Sequence, residues 1–210
     1  WIMPLLLDGP IGIATGLSKP ELVTCSMVLY AFWAAGCGIL SPLGDRAGRK
    51  PILIGSALLG AVGFLCAASI PAAPGSLAMP LLLTSRAASG FAVGGIMSQS
   101  FALACESSES VRGKEIGVAL NLYYCVSVVL VAGFHWTCTA LGVAWSVELG
   151  ALGAWFGLCA LASGALAIES PPYLLASGRR EEAHRALRSM ASWNGVDARR
   201  LEAALEEDPT

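Results

Sequence analysis

Charge is scarce in this chain. Only 13% of its 210 residues are Asp, Glu, Lys or Arg, about half the share of an ordinary soluble domain, and that deficit points to a bilayer environment. Histidine is scarcer still: His135 stands at the end of an apolar segment and His184 in the tail. No acid–base or nucleophile pair is evident in the sequence, so no enzyme is expected. Basic runs and basic–aromatic patterns are missing, which excludes nucleic acid as a partner. The cysteines, Cys25, Cys37, Cys66, Cys105, Cys125, Cys138 and Cys159, include no CxxC pair. Lying almost wholly in apolar segments, they read as small hydrophobes; no metal and no cofactor is implied. Period-two alternation is also missing, which argues against a membrane barrel. Before the first apolar stretch there is no charged region or cleavage site, so no signal peptide is read. The chain opens at Trp1, inside what reads as the end of an earlier helix.

What is present is long, charge-free and rich in Gly, Ala and Ser. Crossing about 30 Å of hydrocarbon takes about 20 apolar residues in a helix. Leu22 to Gly44, Pro51 to Ser85, Ala87 to Cys105, Ile116 to Val147 and Leu149 to Ile168 contain no Lys, Arg, Asp or Glu. The expected spans are residues 22–43, 51–70, 77–104, 115–136 and 148–168, with a partial span at 1–17. A short loop is expected at Ser18 to Glu21, a turn at Pro71 to Gly75, and an exit from the membrane near His135 and Trp136. Small residues let such helices approach closely in lipid. The expected architecture is an all-α membrane bundle over residues 1–176. A tail, 177–210, follows.

The remaining charges set the topology. Arg46, Arg49 and Lys50 lie between two spans, Arg112 and Lys114 between the next two, and Arg179, Arg180, Arg185, Arg188, Arg199 and Arg200 in the tail. If every span crosses, these 11 share one side and Lys19 alone stands on the other. Lys and Arg concentrate in cytoplasmic loops, so 45–50, 106–115 and the tail read as cytosolic. In the tail, Arg179 to Trp193 places Ala183, Ala186, Leu187 and Met190 on one helical face. Asn194-Gly195 makes a stop, and Asp197 can cap a second helix over 198–207. A solvated charged linker is the other reading of the tail.

One segment is sharper than the rest: Gly44-Asp45-Arg46-Ala47-Gly48-Arg49-Lys50. Gly48 permits a turn with positive φ, and Asp45 lies near the cations that open the next span. It reads either as a charge latch between helices or as a topology determinant alone. The D-R-x-G-R-K string resembles the signature loop of the major facilitator superfamily, with Ser41 in place of the usual earlier Gly. A second block, Arg86-x3-Gly90-x3-Gly94-Gly95, then Glu106 and Arg112-Gly113, is similar to the fourth span and loop of sugar porters and organic-ion transporters. A third, Glu169-Ser170-Pro171-Pro172-Tyr173-Leu174-Leu175, then Gly178-Arg179 and Glu182-Ala183, resembles the end of their sixth span. There Ile168 replaces the motif's first Pro and Pro172 its Arg. Asn194-Gly195 is typical of organic-ion and synaptic-vesicle-protein-related members.

The resemblance implies the N-terminal six-helix half of a major facilitator transporter, whose partner is a C-terminal half with a solute site near the bilayer midplane. The implied substrate is a small organic solute: a sugar, organic ion or carboxylate. A non-transporting sensor of the same fold is the alternative. The resemblance also implies an ion-pair network of Glu106, Arg112 and Glu169 with Arg46 and Arg49 at the cytosolic helix ends, which with Asp45 and Gly48 makes up a conformational latch. It further implies a proton-coupling pair, Asp8 with Arg86, since an intramembrane Arg is costly and needs an anionic partner. Arg86 snorkelling outward, or Asp8 outside the membrane, are the other readings of that pair. Gln99, Asn121, Tyr123, Tyr124 and Trp155 are candidates for facing solute, or else helix glue and lipid-facing aromatics.

Overall fold

A computed structural model describes residues 11–72, 75–106 and 113–195. Among these residues the secondary structure is helical, with no strand. After a single turn, α1 (Gly12–Thr15), come five long helices: α2 (Lys19–Ala47), α3 (Arg49–Ala68), α4 (Gly75–Glu106), α5 (Gly113–Ala140) and α6 (Trp145–Leu166). A 3-10 turn, Ile70–Ala72, follows α3. Two short helices close the described chain, α7 (Pro171–Ala176) and α8 (Arg180–Asn194). By length and composition, five helices of the described residues can cross a membrane.

The long helices overrun the charge-free windows because a helix does not stop at the hydrocarbon edge. Ser18 to Glu21 is therefore no loop. Glu21 accepts hydrogen bonds from the Ser18 amide at 2.8 Å and the Ser18 hydroxyl at 2.7 Å, and Pro20 sits in the first turn of α2, where its missing N–H costs nothing. Likewise α2 runs through Asp45 and Arg46, so the expected loop at 45–50 shrinks to one non-helical residue, Gly48. At the other end of the bundle α5 continues past His135 and Trp136 to Ala140. Pro171 and Pro172 do more than end the sixth span: they open α7, with Ser170 as its N-cap, its hydroxyl accepting from the Tyr173 amide at 3.3 Å.

Lipid tails are as apolar as Leu, so these helices associate by packing rather than by escape from water. The α2–α4 seam shows how. A Cβ on Gly94 would stand 2.5 Å from the Trp33 carbonyl oxygen and 2.7 Å from the Cys37 amide nitrogen, and one on Gly90 would strike the Leu29 carbonyl. The Gly90-x3-Gly94 spacing thus lets two backbones touch. α3 packs against α4 and α6, where Phe64 and Phe156 tilt together at 5.1 Å.

Two clusters locate the helix ends. Ile11, Leu22, Cys25, Ala67, Ile70, Ala78, Leu82 and Leu149 form one buried core, bringing together the starts of α2, α4 and α6 with the end of α3. Arg49, Glu106 and Glu169 meet at the opposite end. The five helices therefore alternate in direction. α5 is the least engaged: no residue in its most apolar stretch is buried, and Val118, Leu122, Val129 and Leu130 are largely exposed, an outward face suited to lipid. In the tail, Ala183 and Ala186 are buried against Leu174, with Ile168 and Tyr173 beside them, so α8 lies on α7 along its apolar face. The second tail helix expected at 198–207, with Asp197, lies outside the described residues.

Candidate functional site

The α2–α3 joint is built around Gly48, at φ 102° and ψ 151°. That region of backbone space is essentially closed to side-chain-bearing residues. The joint turns the chain so that Arg49 begins α3 directly beneath Asp45, the last acid of α2. The Arg49 guanidinium is the hub. One arm pairs with Asp45; the rest forms a fork on Glu106 at the end of α4, at 2.7 Å from Nη2 and 3.4 Å from Nε. The side chain of Arg49 is 12% exposed and that of Glu106 26%, so the fork is half-shielded from water. A planar guanidinium suits such two-point recognition of a carboxylate.

Glu169 arrives from the segment after α6 but does not join an ion pair with Arg46 or Arg49. Its carboxylate accepts the backbone N–H groups of Arg49 at 2.9 Å and Lys50 at 3.2 Å, and the Ser170 amide at 3.1 Å. The first amides of a helix have no partner within it, and they carry the positive end of its dipole. Glu169 thus caps α3 in place of the side-chain cap that Gly48 cannot provide. A Cβ on residue 48 would stand 2.5 Å from Oε2 of Glu169, so this approach also requires glycine. The Tyr173 hydroxyl donates to the Arg46 carbonyl at 3.1 Å, fastening α7 to the last turn of α2. Among the described residues the Arg46 side chain enters no ion pair.

Beside this cluster lies a cavity of about 490 Å³ whose charged lining includes Lys50, Glu169, Arg179, Glu182 and Arg185. Arg179 grips Glu182 at 2.7 and 2.6 Å. The hydrogen bonds from Arg179 hold the Glu182 carboxyl below the usual carboxylate range, and Arg179 is raised in turn.

The remaining sequence candidates scatter. Asp8 and Arg112 lie outside the described residues. Arg86 is buried within α4, 1% exposed. Gln99 is buried in the α2–α4 seam, donating to the Leu40 carbonyl at 2.8 Å and packing against Gly44. Asn121 is exposed on α5, its amide turned back to the Gly117 carbonyl at 2.8 Å. Tyr123 is exposed too. Tyr124 and Trp155 line a cavity of about 410 Å³ among α3, α4, α5 and α6, which Ser100 and Ser163 line as well.

Sequence reasoning missed one pair. His135 near the end of α5 and Glu148 in the first turn of α6 meet, with Nδ1 2.9 Å from Oε1 and 3.1 Å from Oε2. The acid–base pair not evident in the sequence is therefore present in the fold.

Over residues 16–208 the chain matches the family described as sugar (and other) transporter. No curated protein matches it.

Proposed function

This chain belongs to the sugar (and other) transporter family, within the major facilitator superfamily, and from that premise we propose that it carries a small organic solute across a membrane by alternating access. The family is one of transporters, and the chain is a multi-pass membrane protein with five apolar helices of spanning length. The substrate class is a sugar, an organic ion or a carboxylate. In this reading the chain is the N-terminal half and works against a C-terminal half.

One observation carries the proposal. The cluster centred on Arg49 ties α2, α3, α4 and the segment after α6 together at one end, and it does so through contacts that can be exchanged. A half-shielded guanidinium fork and a carboxylate on amides are strong when closed, yet both sets of groups can be hydrated when open. Such a tie holds one access state and releases the other. Asp45, Arg49, Glu106 and Glu169 are the latch, and Gly48 shapes the joint that makes it. The 11 basic residues that the sequence assigns to this side, if every span crosses, support a cytosolic placement under the positive-inside rule. Tyr124, in the cavity that Ser100 and Ser163 also line, is the proposed solute-facing residue. The Asp8 and Arg86 coupling pair belongs to the same proposal.

The test is solute counterflow in vesicles containing the protein together with its C-terminal half, using labelled sugars, organic cations and carboxylates. Counterflow of one class, lost in Glu106→Ala while membrane insertion stays normal, is the expected result. Absence of counterflow for all three classes with well-inserted wild-type protein overturns the reading.

A further inference from the structure

We propose that His135 and Glu148 form a proton-binding site at the end of the bundle opposite the Arg49 cluster, and that its occupancy governs the separation of α5 from α6. The inference rests on the transport reading for its purpose, but not for its existence.

The pair joins unequal partners. Glu148 is 2% exposed and stands on α6, a helix well packed against α3. His135 is 16% exposed on its side chain and stands on α5, the least engaged helix of the bundle. The Glu148 carboxylate is therefore held within the rigid part, and the imidazole reaches it from the part that is free to move. Among the described residues, the other ionisable side chains on that half of the bundle are Lys19, Glu21, Cys25 and Tyr30 on α2, Cys66 on α3, Arg86 on α4 and Cys138 on α5. Of these, Cys138 lies close enough to Glu148 to feel its charge. The short connection from Leu141 to Ala144 carries no ionisable side chain.

The charge balance gives the site its direction. With a neutral imidazole, the closed pair carries one net negative charge on a carboxylate buried from water, which is costly. Adding one proton leaves a neutral pair, either imidazolium with carboxylate or imidazole with carboxylic acid, and the proton belongs to both groups rather than to one. Among side chains, histidine is the one that ordinarily changes charge near physiological pH. Loss of the proton restores the buried charge, and the cost is relieved when α5 moves away and water reaches Glu148. Proton binding thus favours the closed contact and proton release the open one. That difference between two states is what coupling requires.

Cys138 provides the readout. It is 8% exposed, one turn beyond His135 on α5, and becomes accessible when α5 separates from α6. The full chain in vesicles is treated with a maleimide at about pH 5.5 and about pH 8, either side of the histidine range, and labelling at Cys138 is read by mass spectrometry. His135→Asn keeps an N–H donor but cannot titrate, so it carries the intrinsic pH dependence of the thiol. The ratio of wild-type to His135→Asn labelling rates is expected to rise about threefold or more from the lower pH to the higher. Glu148→Gln, which removes the buried charge, is expected to behave as His135→Asn does, and it serves if the histidine variant fails to fold. A ratio that is constant or falls with pH overturns the site. In counterflow, the pH profile of the wild type is expected to flatten in either variant. Wild-type counterflow with an unchanged profile in both variants overturns the coupling and leaves the transport reading standing. If the wild type moves no solute, the transport reading fails and the labelling ratio still decides the site.

Discussion

Gly48→Ala is expected to be among the most damaging one-carbon changes in the protein, and the reasons can be separated. Residue 48 sits at φ 102°, ψ 151°, where a side-chain-bearing residue costs about 1–3 kcal/mol in backbone strain. The new methyl would also stand 2.5 Å from Oε2 of Glu169. The carboxylate can swing away, but then the Arg49 and Lys50 amides lose their cap, which costs about 1 kcal/mol. The total is about 2–4 kcal/mol, or a fall in melting temperature of about 4–16 °C for a chain of this size. Unfolding of the purified protein in detergent measures it. A second arm isolates the collision: in Glu169→Ala the cap is already gone, so Gly48→Ala on that background is expected to cost about 1 kcal/mol less than on wild type. If Gly48→Ala is within about 0.5 kcal/mol of wild type, a range ordinary for surface changes, the strain argument is wrong. If the two substitutions are strictly additive, Glu169 is not held where the structure places it.

Asp45→Asn and Arg49→Ala are expected to abolish transport while leaving membrane insertion intact; wild-type uptake in either would reduce the joint to a topology signal. Cysteines placed at Lys50 or Ser177 are expected to resist an impermeant reagent applied outside intact cells, whereas one at Lys19 is labelled; the reverse pattern would invert the orientation. Gly94→Val drives a side chain into the Trp33 carbonyl and the Cys37 amide, and is expected to lower stability by about 1–3 kcal/mol, read as loss of monodisperse protein after mild heating; an undiminished yield would mean that the α2–α4 seam is looser than the structure has it.

The helices were legible because the hydrocarbon tolerates so little charge. Long windows without Asp, Glu, Lys or Arg mark spans almost regardless of detail, and the apolar face of α8 shows in the spacing of Ala183, Ala186 and Leu187. Their ends were not legible, since α2 carries Asp45 and Arg46 as part of a helix reaching into the polar region. Gly48 could be singled out because glycine between opposed charges implies a turn. The work of Glu169 could not, because backbone amides, its actual partners, leave no mark in a sequence; a charged partner was the natural expectation and the wrong one. Gln99 shows the same limit from the other side: the sequence leaves it open between solute contact and helix glue, and only the fold shows its amide donating to the Leu40 carbonyl. His135 and Glu148 stand on different helices, and only the placement of α5 against α6 makes them neighbours.

The capping of α3 by Glu169 also imposes an order on biogenesis. The two partners are 120 residues apart in the chain. A ribosome adding about 5–20 residues each second needs about 6–24 s to cover that interval. Throughout it the first amides of α3 exist without the carboxylate that later caps them. The joint between α2 and α3 can reach its final form only once α6 has been threaded and the chain has returned to the same face. The cap is thus completed only after all five long helices have been made, and a nascent chain stalled before Glu169 exposes an unfinished helix start to whatever machinery inspects it.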